Sequence, residues 1–265
     1  MGAATMRPWT IGLALTVFGL MAAQALGYTI TIDGNVSDWG IEPKDYWHSD
    51  WDPLPGIYVN IGGSSEDYRP GTGGYLGPGW GGQDYDAEAF YFTADEQYAY
   101  FLVVTGVPPN GTCNRTPGDI AIDIGRDGTW DFGIETTGNE GNIVGALYSD
   151  VDWQGATIFP SSDPAYILGG TVAWEPDFAS LFYSSIGYAH YVIEAAVPLA
   201  ALPVSTSTVP FTGHWTMDCG NDEVDVEAEL PAIPEPATST MLYGGIIALA
   251  FARVKARKRK RKRDK

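Results

Sequence analysis

Short apolar runs, some alternating and some continuous, fill the middle of this 265-residue chain and are broken repeatedly by Gly, Asp, Asn and Pro. Tyr28, Ile30 and Ile32 alternate with two threonines ahead of Asp33-Gly34-Asn35, which predicts a strand ending in a turn. Residues 89–93 and 98–104 are aromatic and β-branched and flank Asp95-Glu96-Gln97, so they predict a hairpin. A second hairpin is predicted by residues 120–124 and 129–134 around Arg126-Asp127-Gly128, because an Asp-Gly step suits the left-handed turn of a tight hairpin. Further strands are expected over 165–173, 187–197, 214–218 and 224–230. The one helical signal is a short turn at 198–202 that opens on Pro198. No stretch of convincing length keeps the period of an amphipathic helix. The pattern predicts an all-β fold, an antiparallel β-sandwich of jelly-roll or Ig-like type.

The alternation fails between Asp33 and Asp84, where glycines, prolines and aromatics are mixed and seven of the twelve residues 71–82 are glycine. Tyr68, Tyr75, Trp80 and Tyr85 are interleaved here, and aromatics in an open linker would expose costly apolar area. The expectation is an ordered, packed loop inserted into the sandwich.

The two ends follow other rules. Residues 1–27 have a basic start at Arg7, an uncharged apolar run from Trp9 to Ala23 and small residues at Ala23, Ala25 and Gly27, the pattern of a secretory signal peptide. At the far end, Pro234-Glu235-Pro236 precedes a sixteen-residue apolar stretch, 237–252, and then ten Lys or Arg between Arg253 and Lys265. Proline on both sides keeps the tripeptide out of a helix and open to an enzyme. The apolar stretch is slightly short for a stable transmembrane helix, and the basic end would stay on the cytoplasmic side. This order resembles the PEP-CTERM sorting signal, which implies processing by an exosortase and delivery to the envelope, surface or extracellular matrix of a Gram-negative bacterium. An ordinary C-terminal anchor is the alternative, and either reading places residues 28–233 outside the inner membrane.

Those 206 residues suit one domain with a single substantial core. They hold four cations, Lys44, Arg69, Arg115 and Arg126, against thirty-one carboxylates, a net of −27 where the whole chain shows −18. Such a surface repels phosphate backbones and excludes nucleic-acid binding, while it suits divalent cations or a hydrated matrix. In an oxidising compartment Cys113 and Cys219 are expected to form a disulfide. Asp123, Asp127 and Asp131 gather three carboxylates about one turn, a candidate Ca2+ site, although the spacing is not that of an EF-hand and a solvated turn is the plain alternative.

Ile32-Asp33-Gly34 with Asp38-Trp39, the aromatic hairpin at 91–101, and Glu194 followed by Val197-Pro198 together resemble family 9 carbohydrate-binding modules and DOMON-like sandwiches. The resemblance spans much of residues 28–202 and implies sugar binding by flat aromatic faces beside carboxylates, with calcium as a structural ion. Trp47, Trp51, Tyr75 and Trp80 are the candidate platforms, while the motif position of Trp39 implies packing. His48, His190 and His214 show no metal-ligand spacing, and no nucleophile elbow, phosphate loop or dinucleotide fingerprint stands out. The expected function is that of a non-enzymatic surface or matrix protein binding extracellular polysaccharide. A secreted glycan-active hydrolase and a purely structural envelope protein are the alternatives.

Overall fold

The computed structural model describes residues 28–44, 50–61, 82–158, 163–176, 180–204 and 206–232. Eleven strands form among them: β1 (Tyr58–Ile61), β2 (Ala87–Ala94), β3 (Tyr98–Thr105), β4 (Ile120–Ile124), β5 (Phe132–Ile134), β6 (Leu147–Gly155), β7 (Pro164–Trp174), β8 (Leu181–Gly187), β9 (His190–Pro198), β10 (Val209–Thr216) and β11 (Glu223–Leu230). They make two antiparallel sheets, one of order β1-β2-β3-β9-β8 and one of order β11-β10-β4-β5-β6-β7. This is the predicted all-β sandwich.

Side-chain alternation explains why the sheets face each other. In β11 the apolar Val224, Val226, Ala228 and Leu230 enter the core between the sheets, while Asp225, Glu227 and Glu229 point to solvent. β2 and β3 instead read as continuous apolar runs because both of their faces are covered. Phe90, Phe92 and Phe101 turn inward, where the Phe92 and Phe211 rings meet edge-on at 4.6 Å. Their other face, with Tyr91, Leu102 and Val104, is covered by the segment that carries Ile30, Val36, Trp39 and Ile57. Among the described residues the sandwich thus has two large apolar layers, one between the sheets and one beneath its N-terminal segment, and a small third cluster of Ala146, Tyr148 and Ile167.

Several elements depart from the sequence pattern. Residues 28–32 form no strand; Ile30 is buried by packing, and the Thr31 N–H donates to the Asp38 carboxylate at 2.8 Å instead of to a neighbouring ladder. β1, β6 and β8 arise where no clear alternation marks them: β1 lies inside the glycine-rich region, β6 pairs β7 through repeated register shifts, and β8 exposes Ser184 and Ser185. The predicted turn after Pro198 is present as a 3-10 turn, Leu199–Ala201. Among the described residues no helix is long and apolar enough to cross a membrane, and the 237–252 segment lies outside them.

Candidate functional site

The clearest concentration of unspent polar chemistry lies where β3 ends and β9 begins. A register shift between Ala87 and Ala89 places Glu88 in a bulge at the start of β2. His190 opens β9, just past the Thr105–Tyr191 pair. The Glu88 Oε1 and His190 Nε2 atoms are 3.0 Å apart, and both residues are fully buried. Gln83 Nε2 donates to the same carboxylate oxygen at 2.8 Å. Gly106 makes this approach possible, since a Cβ there would stand 1.5 Å from the Gln83 carbonyl oxygen. On the other side the half-buried Trp51 ring meets His190 edge-on, with centroids 5.7 Å apart, and the Tyr91 hydroxyl holds the Trp51 carbonyl at 3.1 Å. Burial first, and then the charges of Asp52, Glu88 and Asp50, push the Tyr91 phenol above its ordinary ionisation range.

Three atoms of this cluster, Glu88 Oε2, His190 Nδ1 and Trp51 Nε1, are buried and have no hydrogen-bond partner among the described residues. Each such atom costs about 1–3 kcal/mol of lost solvation. The indole N–H is a donor and the carboxylate oxygen an acceptor, a pairing that hydroxyl groups satisfy because each both donates and accepts.

A second carboxylate supports the same sheet face. Glu194 of β9 accepts from the Asp33 and Gly34 N–H groups through Oε2 and from Trp39 Nε1 at 2.9 Å through Oε1. Glu194 thus ties the turn at residues 33–34 and the fully buried Trp39 to β9. Gly34 has φ +81°, and a Cβ on it would stand 2.3 Å from the Phe182 ring, so glycine is required there on two grounds. Burial lifts the Glu194 carboxyl and Asp38 adds to the effect; its three donors oppose this, and it ends at about 7.

Of the predicted sugar platforms, Trp51 alone falls within the described residues; Trp47, Tyr75 and Trp80 lie outside them, as do Pro234, Glu235 and Pro236. In the turn at 123–131 the three aspartates all engage the hairpin backbone. Asp123 accepts from the Asp127 and Gly128 N–H groups, Asp127 from Thr129 N–H and Asp131 from Ile124 N–H, so the three carboxylates brace the hairpin backbone. Among the described residues no group of three or more His, Cys, Asp or Glu could hold a metal ion. The expected Cys113–Cys219 disulfide is absent: both thiols are free, Cys113 exposed and Cys219 buried. Cys113 occupies a left-handed turn at φ +44°, and its thiol first, and then burial, raise the Tyr85 phenol above its ordinary range.

Asp119 and Glu135, both fully buried, form the one further acidic pair of note. Burial and the neighbouring Glu135 charge drive the Asp119 carboxyl well above its usual range. Asp119 binds Thr136 and the Ile167 N–H, and Glu135 takes the N–H groups of Thr137, Gly138 and Asn139. These contacts tie the loop after β5 to β7.

Linear reasoning did not pair Glu88 with His190, because they are 102 residues apart and no local motif joins them. Comparison with family models, with curated proteins and with solved structures finds no match for this chain, so the reading of its function rests on its own residues.

Proposed function

We propose that this chain is a non-enzymatic, exported surface or extracellular-matrix protein whose sandwich binds extracellular polysaccharide, and that an exosortase sorts it through Pro234-Glu235-Pro236. The observation that carries the binding reading is the set of buried, unpartnered atoms on Glu88, His190 and Trp51 beside a half-buried indole ring. The apolar ring suits the C–H face of a sugar, and the polar atoms suit its hydroxyls. The secretory pattern of residues 1–27 and the net charge of −27 over residues 28–233 agree with life in a hydrated extracellular matrix.

The test is a glycan array probed with the full-length chain, once with calcium and once with a chelator. Wild type is expected to retain at least one polysaccharide, and Trp51→Ala to lose about tenfold in affinity, the equivalent of 1.4 kcal/mol. Retention of no glycan by a folded protein sinks the proposal. A signal that disappears only in chelator would give calcium a part in binding.

A further inference from the structure

The outer face of the six-stranded sheet carries a second histidine–carboxylate pair, built on a single rung across the strands. His214 of β10 stands opposite Asp225 of β11 on one side and Ala121 of β4 on the other, and Ala121 stands opposite Gly133 of β5. The rung is therefore small towards its middle and charged towards the β11 edge. The His214 Nδ1 and Asp225 Oδ1 atoms are 2.6 Å apart, with His214 only 1% exposed and the Asp225 side chain 50% exposed. The half-buried Trp130 ring tilts against the imidazole, with centroids 5.3 Å apart. His214 Nε2 is buried and has no partner among the described residues.

The charges around this ring are almost all of one sign. Glu227, next outward along β11, is held by Arg126 at 2.9 Å. Asp225 has the imidazole on one oxygen and is half open to solvent. Burial pushes the Glu223 carboxyl up, Asp225, Asp163 and Asp222 push it further, and His214 is the group that opposes them. His214 touches both the exposed Asp225 carboxylate and the Trp130 ring, and these two attract cations in different ways, the one by its charge and the other by the negative face of the ring. A uronate or sulfated sugar would be repelled here, and a neutral hexose would leave the charge unanswered.

We propose that Trp130, Asp225 and Glu223, with His214 as the residue that positions Asp225, form a subsite for a sugar bearing a free amine, such as a de-N-acetylated hexosamine unit of a polysaccharide. The sugar's C–H face would lie on Trp130 and its ammonium would meet the two carboxylates. This inference rests on the polysaccharide-binding reading and names the class of sugar.

The full-length chain is titrated calorimetrically at physiological salt with a short glucosamine oligomer and with its N-acetylated counterpart. The amine form is expected to bind at least about tenfold more tightly, and Trp130→Ala and Asp225→Asn to lose about tenfold each for the amine form. Trp130→Phe, which keeps a ring, retains most of the affinity and guards against a folding defect. Because Trp130→Ala changes no charge, its loss cannot come from bulk attraction between a cation and an acidic protein. His214→Asn keeps a donor at the Nδ1 position and is expected to preserve binding that His214→Ala weakens. Equal affinity for the two oligomers, or a folded Trp130→Ala variant that binds like wild type, overturns the subsite. If wild type still retains glycans on the array in that case, the broader reading stands; if it retains none, both fall.

Discussion

At the scale of single residues, Glu194 shows how a carboxylate can organise a fold and still be held short of full ionisation. Its oxygens take hydrogen bonds from Asp33, Gly34 and Trp39, all of which favour the charged form, yet burial outweighs them and lifts the group from 4.5 to about 7. The folded chain therefore keeps a proton that the unfolded chain releases above 4.5. Stability from this group is fully present below about pH 4.5, is lost as pH rises towards 7, and stays flat beyond, a difference of about 3 kcal/mol. Denaturant unfolding followed across that window is expected to show the decline in wild type. Glu194→Gln should flatten it while lowering stability at low pH, since its amide turns a donor towards one of three donors. A profile unchanged by Glu194→Gln would assign the decline to other carboxylates, Asp119 and Glu135 first.

Among the elements, the β8–β9 hairpin is the least comfortable. Gly187 pairs with His190, and the two turn residues between them, Tyr188 and Ala189, both have positive φ, at +54° and +61°. That is the geometry of a two-residue hairpin turn that favours Asn-Gly, and a side chain with a bulky Cβ resists it by about 1–2 kcal/mol per residue. The double substitution Tyr188→Asn with Ala189→Gly is expected to raise Tm by roughly 2–6 °C, measured by thermal melting. A fall in Tm would mean that the exposed Tyr188 ring makes contacts worth more than the strain. The same scale shows what the sequence could convey. The β2–β3 hairpin and β11 were legible because their apolar residues either run together or alternate strictly with acids. β6 was not legible, since its register slips at Asp152 and Asp150 adopts a left-handed φ of +49°, which breaks any simple period. Trp51 could be singled out from its aromatic, acid-rich surroundings. Its partners Glu88 and His190 could not, because a bulge in one strand and the start of another bring them together only in three dimensions.

For the whole molecule, charge sets the terms. With thirty-one carboxylates and four cations over residues 28–233, like-charge repulsion works against the compact state. Added salt is expected to raise Tm, roughly 1–2 kcal/mol or about 4 °C between low and physiological ionic strength, as the screening length shrinks to about 8 Å. A fall in Tm with salt would show that pairs such as Arg115–Asp218 and Arg126–Glu227 outweigh the repulsion. The Glu194 tie has a different consequence at this scale, one of timing. It spans 161 residues, from Asp33 near the start of the domain to a strand late in the chain. Synthesis from the N-terminus delivers Trp39 early and Glu194 late, so the clasp over the outer sheet face closes only after β9 has been made. A chain stalled before β9 would leave its first aromatic segment unfastened and open to proteolysis, and completion of the chain would itself be the step that locks the domain.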